Sequence, residues 1–556
     1  MNERRFVVAL FATSLLTRLL TFGLYLMHNQ RYWQVDSLTY HLVAQGIAAG
    51  KGIALPTGAL NFYRLPGYPM FLANFYKIWG PDSVIALWVQ TIIAAFIPVI
   101  IYFLARTLFP TKPLLARCAS AYSAIHLGLV LYSGFFMTES LFITCFLLFC
   151  LFFFKAVLLQ GQFAPLHSNL RTPLLGLKQA SIGANGSEPP DHHEGAQRVE
   201  GAERTNIVYA GLWLGAASLI RPVGHYLLVV ALGIIVLSVF SWRQKLRTSC
   251  ALLLAWLAVV LPWLLRNYLL LGHLFFHTLP GGHFLYLSAA RVAMHVHNCS
   301  YQEARELLQQ QVEKNMAVAQ AEQVQPLNEI ERCHIHERLA RHYFISHPVI
   351  TLKTWCTDMM RTCLSLYSAE LLYLENGRQD VDYFAKGRGW WSLFERYLFP
   401  QTHNLVLIAL VYAEIIMYLF ILIGCVGALF YGARILRDET FGFSSGRAPH
   451  REALAIKTGA RGEELRSMDS RRLIEPPHHE RNSTALTLSL SKGSNHTSVQ
   501  QTDTRSLLLM LPFIALFIII ALAGGYARMR LPAEPFLIML GLYFWLSGKD
   551  KKNEQI

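Results

Sequence analysis

Arg4-Arg5-Phe6-Val7-Val8-Ala9-Leu10-Phe11 opens an apolar run that continues to Met27, and the reading of this run decides the fold. Two basic residues before an apolar stretch also open secretory signals. This run is too long for a signal's apolar region, and no small-residue cleavage site follows it. It therefore reads as a retained first membrane helix starting on the cytoplasmic side.

The remaining apolar blocks repeat that pattern along a chain of 556 residues, of which 53% are hydrophobic and 15% charged. Blocks of this length and composition are expected to span a bilayer. The expected spans are Phe6 to Met27, Ser83 to Leu104, Leu115 to Tyr132, Glu139 to Leu158, Ile207 to Ile220, Val223 to Phe240, Cys250 to Leu265, Leu405 to Tyr431, Ser506 to Ala523 and Pro532 to Leu546. All are expected to be helical, because a helix satisfies its own backbone groups in lipid. The fold class is thus an all-α polytopic membrane protein of about ten transmembrane helices. Counting from a cytoplasmic start puts Arg106, Lys112 and Arg117, then Arg243, Lys245 and Arg247, then Arg434 and Arg437, and finally Lys549, Lys551 and Lys552 on the inside. This agrees with the positive-inside bias. The formal charge of +14 resides in these flanks and in two polar inserts, so nucleic acid is excluded as the partner it would otherwise suggest.

Three regions follow from the spans. Residues 1–265 form an N-terminal transmembrane module with a cytoplasmic insert at 161–206, residues 266–404 a small helical outer domain, and residues 405–548 the C-terminal helices with a second insert at 438–504. The inserts share the strings Glu188-Pro189-Pro190-Asp191-His192-His193-Glu194 and Glu475-Pro476-Pro477-His478-His479-Glu480 in a context without apolar periodicity. They read as disordered insertions of common origin. The outer region holds Cys299, Cys333, Cys356 and Cys363, for which three pairings are open. It also holds His295, His297, His334 and His336, whose spacing fits no metal motif.

The outer loops carry charge at the membrane edge. The first gives Asp36 and Arg64, the second Glu139, the third Arg221, the fourth Arg266 and the fifth Arg528 and Arg530. Arginine in short outer loops runs against the positive-inside bias and calls for an anionic partner. Each residue has a plainer explanation: Asp36 as a helix N-cap, Glu139 as a complement to a helix dipole, Arg221 as a snorkelling residue before Pro222. Taken together they suit a phosphate held by arginine forks, with a carboxylate as base.

Several stretches carry a family resemblance. Asp36 with Tyr40, Tyr63-Arg64-Leu65-Pro66-Gly67-Tyr68-Pro69, Ser133 to Phe142 with Thr138-Glu139, Gly211-Leu212-Trp213-Leu214-Gly215 leading to Arg221-Pro222, Pro262-Trp263 with Arg266-Asn267, and Arg528-Met529-Arg530-Leu531-Pro532 are in the relevant order and on one side. In these the chain resembles bacterial GT-C glycosyltransferases of the protein mannosyltransferase and aminoarabinose (lipid A) transferase type, like those of glycosyltransferase family thirty-nine. The resemblance implies a polyprenyl-phosphate-sugar donor, a lipid, glycan or protein acceptor, inversion at the anomeric carbon, and a multi-pass protein of the bacterial inner membrane with its site facing the periplasm. It implies catalytic roles for Asp36 and Glu139, donor-phosphate contacts at Arg64, Arg221, Arg266, Arg528 and Arg530, and substrate positioning by Tyr40, Tyr63 and Tyr68. Val35 and Ser37 flank Asp36 where many relatives pair a second acidic residue, so a divalent metal is compatible but not indicated and the cofactor stays open. The alternative is a flippase or transporter of polyprenyl-linked sugars. That would require polar residues within the spans, of which Glu414 is the clearest.

Overall fold

The computed structural model describes residues 2–27, 33–34, 36–81, 84–161, 192–322, 325–376, 399, 402–444, 503–520 and 527–553. Among the described residues the protein is all-helical, with one isolated β-bridge between Ala54 and Leu60 in the loop between helices Ser37–Ala48 and Gly67–Trp79. Among the described residues, five helices are long and apolar enough to cross a membrane: Glu3–Met27, Ile85–Leu108, Glu139–Leu158, Trp242–Leu271 and Leu405–Ala433.

The main core is built on phenylalanine. Phe142, Phe146, Phe149 and Phe153 recur at three- and four-residue spacing along the Glu139 helix, which puts them on one face. Phe146 packs edge-on against Phe517 and Phe536, and Phe149 against Phe513. These contacts bind the helix to the 503–519 helix and to the last helix, Glu534–Asn553. Small residues set the other close contacts, as is usual where lipid removes the hydrophobic drive between helices. Gly211 and Gly215 lie one turn apart on His192–Ile220, and a Cβ on either would strike Ala255 or Val259 of the Trp242–Leu271 helix. Gly67 serves the same purpose at the start of Gly67–Trp79, because the carbonyl of Leu219 lies where its Cβ would be.

Two expectations need correction. The segment from Leu115 to Tyr132 is not one continuous helix: Pro113–Ile125 ends at His126, whose extended backbone starts the short helix Leu127–Leu131 and whose ring caps the Leu129 N–H. The end of the first insert is helical, since His192–Ile220 carries the helix back across residues 192–206, and Leu405–Ser444 likewise runs into the second insert. Residues 162–191 of the first insert and 445–502 of the second lie outside the described residues. Leu405–Ser444 is also a single helix with no second segment in it.

In the 266–404 segment, Tyr301–Ala321, Glu329–Ser346 and Pro348–Leu364 are helical. The first two begin with full capping boxes, Ser300 with Glu303 and Asn328 with Glu331. A second buried cluster around Leu285, Leu308, Val312, Leu339 and Tyr343 forms there. All nine cysteines are free thiols, so none of the three pairings forms.

Gly211→Leu is expected to force the His192–Ile220 and Trp242–Leu271 helices apart and cost about 1–3 kcal/mol. Thermal unfolding of the purified protein in detergent checks this, and an unchanged midpoint would contradict the close approach.

Candidate functional site

Three hydrogen bonds hold the segment before Glu139 against the Ser37–Ala48 and Ile85–Ala95 helices. Ser37 Oγ donates to the Phe136 carbonyl at 2.9 Å, and Gln90 Nε2 donates to the carbonyls of Ser133 and Phe135 at 3.0 and 2.7 Å. The first tethers the start of helix Ser37–Ala48, and the other two pin the turn before Glu139 from within the Ile85–Ala95 helix. Asp36 and Glu139 are thereby held on neighbouring elements.

Arg528 joins them. Its Nη2 donates to Asp36 Oδ2 at 3.0 Å, and its Nε donates to Glu139 Oε1. Arg64 closes on the other oxygen of Asp36, Nη2 to Oδ1 at 2.7 Å, and Arg221 Nη1 reaches Glu139 Oε1 at 3.1 Å. The result is an alternating chain: Arg64, Asp36, Arg528, Glu139, Arg221. Three guanidiniums face two carboxylates, leaving one positive charge in excess.

Exposure grades along this chain. The Glu139 side chain is fully buried and its Oε2 has no hydrogen-bond partner, whereas the Asp36 side chain is 30% exposed. Asp36 occupies the N-cap position of its helix without a side-chain cap bond, so the capping explanation fails and its carboxylate serves the arginines. Burial pushes the Asp36 carboxyl up, but Arg528 and Arg64 outweigh burial and hold it well below the usual carboxylate range.

Arg64 is fixed on every side. Its guanidinium lies over the rings of Tyr40 and Tyr63 at 4.5 and 4.9 Å, while Nε donates to Thr39 Oγ1 and Nη1 to the Tyr40 hydroxyl. Tyr40 and Tyr63 therefore belong to the site as the bed of Arg64. Tyr68 does not reach it: the side chain is buried and its hydroxyl donates to Gln90 Oε1 at 2.9 Å.

Arg266 and Arg530 also lie apart from the cluster. Arg266 donates to the carbonyls of Ile53 and Asn61 and lies over Phe62 and Trp263, which ties the first outer loop to the Trp242–Leu271 helix. Arg530 is 1% exposed and donates to Glu534 and to the carbonyls of Thr362, Cys363 and Ser365. Those carbonyls end the Pro348–Leu364 helix, so Arg530 acts as its C-cap and steadies the turn that carries Arg528. Neither guanidinium is placed to meet a phosphate beside Asp36.

The sequence reading missed two neighbours. Glu370, on helix Ser368–Asn376, accepts the Tyr132 hydroxyl at 2.8 Å and is influenced by Arg528 and Glu139; burial raises its carboxyl above the ordinary range. His283 feels Asp36, Arg64 and Arg528, and burial lowers its ring. The one available signal was a carboxylate within the apolar run Leu371-Leu372 and a histidine after Gly281-Gly282. Polar groups within the spans are also more numerous than the sequence suggested. Arg18 is buried in the first helix, where it donates to Ser14 and to the Ala124 carbonyl, with Nε and Nη2 unpaired. Glu414 accepts the backbone N–H groups of Tyr367 and Ser368. Among the described residues, no group of three or more His, Cys, Asp or Glu side chains gathers as a cation site.

Among the described residues, the chain is all-helical, has helices suited by length and composition to a membrane, and carries an arginine-rich charge chain. Compared with known proteins, it matches no family model, no curated protein and no solved structure.

Asp36 binds its proton more weakly in the folded chain than in the unfolded one, so it adds stability above the unfolded value near about 3.9, and that stability is lost as pH falls further. The stability gap between the parent and Asp36→Asn is expected to narrow from about pH 6 to about pH 3, as read by unfolding midpoints. An equal gap at both pH values would mean that the carboxylate is not held by its arginines.

Proposed function

We propose that this chain is a membrane glycosyltransferase that takes a sugar from a polyprenyl-phosphate donor. The sugar passes to a hydroxyl or phosphate of a lipid, glycan or protein acceptor. Asp36 is the catalytic base. In this reading about ten apolar segments cross a bacterial inner membrane from a cytoplasmic start, and the charge chain faces the periplasm. The observation that carries the reading is the shared Arg528. A half-open carboxylate is held between two arginines, and a second, buried carboxylate fixes the middle one.

The chemistry follows from competition for those guanidiniums. As it stands Asp36 is a weak base, because both oxygens are ion-paired. A donor phosphate offers Arg64 and Arg528 a better anion, and bidentate forks suit phosphate oxygens. As their N–H groups are shared with the phosphate, the Asp36 carboxylate loses part of its cationic field and becomes more basic. It then takes the acceptor's proton while the acceptor oxygen attacks the anomeric carbon from the face opposite the phosphate. The bond from that carbon to the phosphate oxygen breaks, the electron pair leaves with the phosphate, and the arginines stabilise the departing charge. Glu139 stays buried as the counter-ion that sets where Arg528 sits.

A flippase is the second reading, and one observation favours it. Arg18 sits buried inside the first helix with two unpaired nitrogens, as a polar path through the bundle would require. Glu414 lends it less weight, since its carboxylate is taken up by backbone N–H groups.

Membranes containing the chain are expected to transfer radiolabelled sugar from a polyprenyl-phosphate donor to an envelope acceptor. At matched expression, Asp36→Asn is expected to lower the rate by roughly 10²–10⁴-fold. Equal rates for the two proteins would remove Asp36 as base. Movement of the labelled donor across vesicles without transfer would favour the flippase.

A further inference from the structure

A cavity of about 500 Å³ lies in the outer region, apart from the charge chain and sharing no residue with it. Phe284, Phe344 and Trp355 line its walls, the Arg291–Asp358 ion pair closes its base, and Glu337 and Arg341 stand on one helix. This volume falls in the range that takes a small organic ligand.

Apart from Glu337 and Arg341, the polar groups on the walls are already engaged. Thr351 and Thr354 donate to carbonyls one turn back on their own helix, Arg291 to Asp358 and to the Leu287 carbonyl, and the Trp355 indole to the Ile519 carbonyl. A sugar or nucleotide would bring hydroxyls that these walls cannot pair, at the full cost of leaving them unsatisfied. What remains on offer is ring surface and methyl groups, which suit hydrocarbon.

Two further features point to lipid. Trp355 is bonded to the end of the apolar 503–519 helix, and the Pro348–Leu364 helix that carries it exposes Val349, Leu352 and Met360. The helix that forms this cavity wall thus also carries, on its other side, apolar surface of the kind bilayers cover. Glu337 and Arg341, four residues apart, share one face of the Glu329–Ser346 helix as one anion and one cation, with no ion pair between them. A headgroup with a phosphate and an ammonium complements that pair.

We propose that this cavity holds an acyl chain of a zwitterionic phospholipid, its phosphate at Arg341 and its ammonium at Glu337. The site stands independently of the glycosyltransferase reading.

The test uses the full chain in vesicles of phosphatidylethanolamine and phosphatidylglycerol, doped with phosphatidylethanolamine bearing a photoactivatable acyl chain. After irradiation, peptide mapping is expected to place adducts on residues 284–292 and 344–355. Thr354→Trp, which fills the cavity, is expected to lower that labelling about tenfold and leave labelling of the Leu405–Ser444 helix unchanged. Arg341→Glu, an exposed change that spares the packing, is expected to lower it as well. Excess unlabelled phosphatidylethanolamine should compete, and phosphatidylglycerol or a polyprenyl phosphate should compete poorly. Labelling that both variants leave unchanged would overturn the site. Stronger competition by polyprenyl phosphate would overturn the choice of ligand.

Discussion

One guanidinium serves two carboxylates: Arg528 binds Asp36 with one arm and Glu139 with another, and the surrounding parts are arranged to keep it there. A carboxylate as buried as Glu139 is strongly unfavourable unless paired, and removal of one partner from such a pair costs several kcal/mol. The chain answers with arginines from two separate segments, Arg221 and Arg528. Since Arg528 is set by Glu139, its second arm reaches Asp36 in a fixed direction. The position of the exposed carboxylate is thus determined by the buried one.

The scaffold around this interaction serves the same end. The Ser37 and Gln90 hydrogen bonds hold the segment before Glu139 in place, Gly67 lets the Arg64 turn approach the end of the Arg221 helix, and Arg530 anchors the short turn Ala527–Arg530 from below. Tyr40 and Tyr63 hold the Arg64 guanidinium between their rings, which leaves it few other orientations. Several buried, mutually satisfied contacts thus stand behind one half-exposed acid. That arrangement is characteristic of a site whose charge must be placed in advance of a ligand.

Much of this was legible in the sequence, for physical reasons. Apolar length marked the five span-length helices Glu3–Met27, Ile85–Leu108, Glu139–Leu158, Trp242–Leu271 and Leu405–Ala433, and their place beside apolar runs marked Arg64, Arg221 and Arg528 as residues in need of partners. What sequence could not distinguish was which arginines meet and which serve structure. Arg528 and Arg530 are two residues apart and alike in sequence, yet they point to opposite sides of a one-turn helix, one into the cluster and one onto the carbonyls of another helix. Glu370 and His283 carry only a weak local signal, because their proximity to the site is created by tertiary packing. The His126 break was hidden for a similar reason: histidine is no strong helix breaker, and the turn is fixed by its ring capping Leu129 and by Gly128 fitting against Tyr367.

The most direct test of the shared guanidinium is a double-mutant cycle on Arg528 and Glu139, with Arg528→Gln, Glu139→Gln and both together measured for unfolding free energy in one detergent. Because the two groups touch, their effects are expected to be non-additive by about 1–3 kcal/mol, with the double variant more stable than the sum of the single losses implies. Additivity within about 0.5 kcal/mol would mean that Arg528 does not hold the buried carboxylate, and the placement of Asp36 would need another cause.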